Sequence, residues 1–502
     1  MTGVSPNASL MQGHHCEGVV GLSLWFLLGI AILRLWVMPL PSSFWVDEMV
    51  TVFVAEHPND ASFAPVPQVP ASIYYAIPRA AASLFGRSEI VYRLPSLLFM
   101  GVALWLIARI ASRLIHPDAG WFAVFLCLSL RWINYFAVDA RPYAMGIAVS
   151  AAAIWFLIRW LDTAAGLDAL LFVAFAALLW RVHLVYWPFY LVFALYILLR
   201  ISGRDTRVTW RTTAPVIALL VLLLVPLLGE TARILRNAGD HVIVALPGIR
   251  EFQHLVRWSV VVLAGGGAWL AARLLRWPAP VTKISSTALA LVFAWWLGQP
   301  LCLYLYSHIT GNSVFVDRYL SLQLPGIALS ATAVAARWIP TAHWRQASLV
   351  VGAVALALMG NWTTLRPRHD NSDWRAAALA VNSAAIDAQT PILCASPFIE
   401  ARVPVWRPDY PLPGFLYAHL SVYPVKGKLF LFPFDRHDAE TYAASLMDSS
   451  LTAQRSFVIY GGQGNVDDLR KWFASRAERR NWSISNALFG DVGVTVFNRV
   501  TE

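Results

Sequence analysis

Between residues 19 and 362 the chain is a succession of apolar stretches, each near the roughly 20 residues that carry a helix across a bilayer, separated by short loops that hold most of the charge. A bilayer interior offers the backbone no water to bond to, so such stretches fold as helices packed on one another. A window of about 20 residues gives about eleven segments: 19–40, 94–115, 120–136, 143–161, 167–180, 183–199, 212–229, 255–275, 286–307, 320–338 and 347–362. The fifth and sixth require a tight turn at Arg181 and Val182. With 58% hydrophobic and 14% charged residues among 502, the composition excludes a soluble globular protein. The expectation is a polytopic α-helical membrane protein.

The net charge of +10 does not point to nucleic acid, because the basic residues are spread among the loops and form no single stripe. Arg109 and Arg113, Arg159, the group Arg200, Arg204, Arg207 and Arg211, then Arg273, Arg276 and Lys283, then Arg337 and Arg345 fall on alternate loops. The positive-inside rule makes that face cytoplasmic. The first apolar segment lacks a small-residue cleavage site, so it reads as a retained helix preceded by a short cytoplasmic leader at 1–18. An odd number of spans then places the tail outside.

Three regions follow: the leader, a transmembrane domain at 19–363 with a large first outer loop at about 41–93, and an extracytoplasmic domain at 366–502. The tail mixes β-type runs (PILCAS, GKLFLFPF, RSFVIYG, GVTVFNRV) with helical patterns (DWRAAALAVNSAAID, VDDLRKWFASRAER), the texture of a small α/β domain. Cys16, Cys127, Cys302 and Cys394 lack metal or redox spacing.

Polar residues that are costly near a membrane gather on the outer face of this arrangement. Asp47 and Glu48 follow the first span; Asp139, Arg141 and Tyr143 lie between the third and fourth; His183 lies between the fifth and sixth; Asp317, Arg318 and Tyr319 lead into the tenth. Two adjacent carboxylates at a membrane mouth serve as a base with its helper, as oxygen ligands for a divalent cation, or as acidic residues in the first turn of the helix beginning MVTVFVAEH. Two carboxylates without a third ligand do not define a metal site, so the metal stays unknown and a divalent cation is only a candidate cofactor.

Arginine suits a phosphate, with its planar fork and permanent charge, and Arg141 and Arg318 are the candidates. The plain alternative pairs Arg141 with Asp139 and Arg318 with Asp317 as interfacial anchors. His183 reads as a phosphate or acceptor contact, or as an interfacial residue satisfied by backbone. Arg93 reads as a substrate contact or a snorkelling anchor, and Tyr74 and Tyr75 as a sugar-stacking platform or part of an aromatic belt.

The order of DE after the first helix, then SIYYAIPRAAASLFGRSEIVYRLPSLLF, VDARPYAM, VDRYLSLQLPG and DWRAAA resembles bacterial members of the protein mannosyltransferase and aminoarabinose transferase group, GT-C glycosyltransferases of the glycosyltransferase 39 type. The resemblance runs through most of the chain. It implies a multi-pass protein of the bacterial inner membrane that moves a hexosyl or pentosyl group from a polyprenyl-phosphate sugar donor to a glycolipid, polysaccharide or protein acceptor at the extracytoplasmic face. It also implies Asp47 as base, inversion at the anomeric carbon, and Arg141 near the catalytic acids. The chain departs from the relatives' His-Pro-Pro-Leu-Tyr-Tyr motif, reading PASIYY from Pro70 to Tyr75, so any role of that histidine does not carry over. A lipid-linked glycan transporter and a polymer ligase or polymerase are the rival classes; a transporter is expected to show inverted repeats, and none is visible.

Overall fold

The computed structural model describes residues 7–64, 68–237, 245–278, 283–402, 406–408, 414–477 and 481–500. All eleven expected segments are helical. Among the described residues, seven helices are long and apolar enough to cross a membrane, and up to nine if each of two bent pairs is one crossing. The other two are short, Gly166–Val182 and Gln323–Ala335.

Two compact units emerge. The first comprises Met1–Pro39 with Arg93–Pro367, and the second Leu40–Tyr92 with Arg368–Glu502. The long outer loop thus belongs with the tail.

In the helical unit, burial orders the bundle. The apolar window of Tyr143–Thr163 is 89% buried inside the protein, whereas that of Trp210–Gly229 is 17% buried. The first is the centre of the unit and the second presents its apolar side chains outward, as a lipid-facing helix does. Arg34, a cation within the first span, is buried and donates to the carbonyl oxygens of Gly360 (2.7 Å), Asn361 (2.7 Å), Thr364 (2.6 Å) and Leu365 (3.0 Å). One guanidinium therefore satisfies the carbonyls left unbonded where the last span, Trp344–Met359, ends.

Two irregular places position the polar residues. Helices Ala119–Leu128 and Arg131–Ala137 meet at 81°. The break frees a carbonyl at Leu128, and the buried Asn134 amide donates to it at 2.7 Å while its Oδ1 accepts from the Trp36 indole at 3.0 Å. The turn carrying Asp139 and Arg141 leaves from the end of this elbow. Similarly, Ser286–Thr310 supplies Gln299 and Trp295, which donate to the carbonyls of Tyr319 (2.7 Å) and Leu322 (2.8 Å) and hold the 3-10 turn Asp317–Leu320. The close approach behind this turn needs Gly326, where a Cβ would lie 2.4 Å from the Trp296 backbone nitrogen.

The second unit is built on a five-stranded sheet in the order β2-β1-β3-β5-β4: β1 (Pro391–Ala395), β2 (Lys428–Phe432), β3 (Ser456–Gly462), β4 (Trp482–Phe489) and β5 (Val492–Arg499). β1 lies parallel to β2 and β3, and is buried along its whole length, as its unbroken apolar run requires. β5 pairs antiparallel with β3 and β4. The outer-loop segment is stitched to the start of the tail: Ser43 Oγ accepts from the Arg375 amide (3.2 Å), Ser42 Oγ from the His369 amide (3.1 Å), and Arg375 donates to the Pro41 carbonyl (2.8 Å).

Candidate functional site

The expected site residues divide between the units. Arg93, Arg141, Tyr143, His183, Arg318 and Tyr319 belong to the helical unit; Asp47, Glu48, Tyr74 and Tyr75 belong to the sheet unit.

In the helical unit the centre is His183, at the end of Gly166–Val182. Its ring stands 6.2 Å from Tyr143, 5.4 Å from Tyr186 and 5.4 Å from Tyr319. Burial, and then the positive charges of Arg141 and Arg318, push its imidazole down from the ordinary 6.5 to about 3. Nδ1 accepts from the Val185 amide at 3.3 Å, so the neutral ring carries its proton on Nε2. Tyr186 is wedged in place: its hydroxyl lies 3.0 Å from Ser321 Oγ, and its ring covers Gly146, where a Cβ would come within 2.4 Å. Arg318 lies over the Tyr319 ring at 5.7 Å. Arg93 is wholly buried, and one turn on Ser96 donates to the Arg141 carbonyl at 3.4 Å.

Asp317 is ion-paired with Arg257, so a local bridge to its neighbour Arg318 is not its use. Arg257 stands in the left-handed region (φ 56°), at the 48° break between Ile249–Val256 and Trp258–Leu274. A non-glycine residue in that conformation stores backbone strain, which the ion pair helps to hold. Sequence reasoning missed Arg257 because the window ran straight through it; the signal was a lone cation inside HLVRWSV. The arrangement of two guanidinium groups about a neutral, proton-donating imidazole among tyrosines suits an anion with several oxygen acceptors.

In the sheet unit the carboxylate pair opens helix Val46–Glu56, and the two residues are not equivalent. Glu48 is fully buried, and its Oε2 accepts from the Trp45 amide at 3.2 Å. It caps its own helix, as acidic residues three positions in commonly do. Asp47 is half-exposed on the same turn. A carboxylate oxygen of Glu48 and a ring nitrogen of His369 lie within 4.8 Å of one another. His369 was also missed; it stands in the polar stretch RPRHDNSDW, which reads as a linker. Tyr74 and Tyr75 are buried, with their rings edge to face at 5.6 Å.

Residues 69–229 match the sequence model of a family described as dolichyl-phosphate-mannose-protein mannosyltransferase. Among solved structures, ArnT from Cupriavidus metallidurans bound to undecaprenyl phosphate aligns with a TM-score of 0.55 at 12% identity, over 94% of this chain and 97% of that one. The same protein in the apo state aligns with a TM-score of 0.55 at 12% identity, over 96% and 98%. No curated protein matches the chain by sequence. The fold is that of the GT-C type, a polytopic helical unit with a small sheet-containing C-terminal region.

Proposed function

We propose that this GT-C-type chain is a membrane glycosyltransferase that moves a hexosyl or pentosyl group from a polyprenyl phosphate to an acceptor hydroxyl at the extracytoplasmic face of a bacterial inner membrane. The observation that supports the reading most is the placement of His183 among Tyr143, Tyr186 and Tyr319, with the positive charges of Arg141 and Arg318 acting on its imidazole at the ends of apolar helices. A lipid phosphate is the anion that such a place would meet. The family description names a dolichyl-phosphate sugar, and the similar ArnT structure holds undecaprenyl phosphate; both support a polyprenyl-phosphate donor. The alternation of basic loops supports the orientation.

Asp47 is the base. It takes the proton from the acceptor hydroxyl, the acceptor oxygen bonds to the anomeric carbon, and the bond from that carbon to the phosphate oxygen breaks, which inverts the centre. Arg141 and Arg318 stabilise the charge that develops on the departing polyprenyl phosphate, with the His183 Nε2–H as a further donor. Glu48 fixes the helix turn that presents Asp47. The acceptor is a glycolipid, a polysaccharide or a protein.

Mass spectrometry of lipid-linked sugars in cells lacking the protein tests this reading. One polyprenyl-phosphate sugar is expected to accumulate. An unchanged set of lipid-linked sugars would contradict it.

A further inference from the structure

Within the sheet unit lies a polar cavity of about 260 Å³, bordered by the end of helix Val46–Glu56, the segment Arg87–Tyr92 and the segment Ser421–Tyr423. Two carboxylates line it, and they are held in the same way. Glu56 Oε1 accepts from the Tyr92 hydroxyl at 3.0 Å and faces Arg87 at 3.2 Å. Glu89 Oε1 accepts from the Tyr423 hydroxyl at 3.0 Å and faces Arg375 at 3.0 Å. Among the described residues, neither Oε2 accepts a hydrogen bond. Burial raises the Tyr423 hydroxyl above its ordinary pKa, so it stays protonated and donates.

This pattern decides what the cavity takes. Each carboxylate already faces a guanidinium, so the pair does not call for a cation; two fixed oxygen acceptors with open valence call for neutral O–H donors. Phe44 and Tyr92, edge to face at 6.0 Å, add aromatic surface for the C–H face of a ring. The volume lies just below the roughly 300 Å³ at which pockets for drug-sized ligands begin, which suits one sugar ring.

We propose that this cavity binds a neutral sugar unit of the acceptor, remote from the hydroxyl that is glycosylated. Glu56 ends the helix whose first turn carries Asp47, and nine residues at 1.5 Å each set them about 13 Å apart, more than one sugar ring. The proposal rests on the glycosyltransferase reading and narrows its acceptor to one that carries a glycan.

The test is saturation-transfer NMR on the full chain in detergent with uncharged probes: methyl α-mannoside, α-glucoside, α-galactoside and N-acetyl-β-glucosaminide. At least one is expected to bind. Glu56→Gln and Glu89→Gln, which keep an acceptor for each tyrosine but turn Oε2 into a donor, should each weaken binding about tenfold or more. Ser421→Trp, at an exposed position on the rim, should block binding without touching the core. Binding of none of the four probes, or binding indifferent to Ser421→Trp, overturns the proposal. The readout involves no sugar transfer, so a failure of Asp47 as base and a failure of this subsite are seen separately; Asp47→Asn should bind the same probe within about twofold of wild type.

Discussion

His183 in the helical unit and His419 in the sheet unit are both pushed down to about 3, yet their surroundings differ in kind. His419 is wholly buried, its Nε2 2.9 Å from Cys394 Sγ, with Trp374 and Tyr460 against the ring. Burial alone depresses it, and the thiol beside it is pushed upward, so the pair is a neutral hydrogen bond inside a core. His183 is depressed by burial and by two arginines as well. The first is a polar group answered by another group of the same core. The second stands among cations that a phosphate would complement, and that difference separates packing from a candidate binding site.

The comparison breaks most readily at the arginines. Arg141→Gln with Arg318→Gln removes two charge-assisted contacts worth about 1.5–3 kcal/mol each, so the donor KM should rise by about 10² or more. Glycoside binding at the Glu56 cavity should not change, and a donor KM unmoved by the double change would make the arginines anchors.

A smaller effect is expected from Gly146→Ala. The added methyl meets the Tyr186 ring, which must shift, and overpacking of this kind costs about 1–3 kcal/mol. Donor binding should weaken by about tenfold and the His183 imidazole signals should move, while those of His419 stay in place.

Adding undecaprenyl phosphate to the wild-type chain should raise the His183 pKa, because the bound anion offsets Arg141 and Arg318, and should leave His419 as it was. Titration of isotope-labelled histidine reads both at once. Equal movement of the two would erase the distinction.

Acid should weaken both units. Between about 6.5 and about 3 the unfolded imidazoles take up a proton that the folded ones refuse, so stability is full above the unfolded pKa and falls as the pH drops through that window. The melting temperature should fall accordingly, and His183→Gln should flatten part of the slope. The smallest effect belongs to the cap of helix Val46–Glu56: Glu48→Ala leaves the Trp45 amide without this acceptor and should cost about 1 kcal/mol or more, read as a shift in melting temperature.

The helical segments were legible because each is a long apolar run, and the central strands because β1 and β3 are continuous apolar runs. What the window averages hid depends on tertiary partners. Segment 120–136 is two helices at 81° because a buried Asn134 meets the freed Leu128 carbonyl, and 255–275 bends at Arg257, which pairs with Asp317. Segment 320–338 shortens to Gln323–Ala335 because DRYL winds into a 3-10 turn held by Gln299. β4 escaped notice because most of its residues are exposed and its polar sequence NWSISNALF needs β5 to become a strand. The carboxylate pair was visible as a pair; its division into a buried cap and a half-exposed acid was not, since that follows from the direction in which the helix starts.

The central claim is that Asp47 takes the proton from the acceptor hydroxyl. Transfer of labelled sugar from a polyprenyl phosphate, measured in membranes with wild type and Asp47→Asn, tests it most directly. Loss of a general base predicts a fall in kcat of about 10²–10⁴ with the donor KM unchanged. Transfer by Asp47→Asn at the wild-type rate would contradict it.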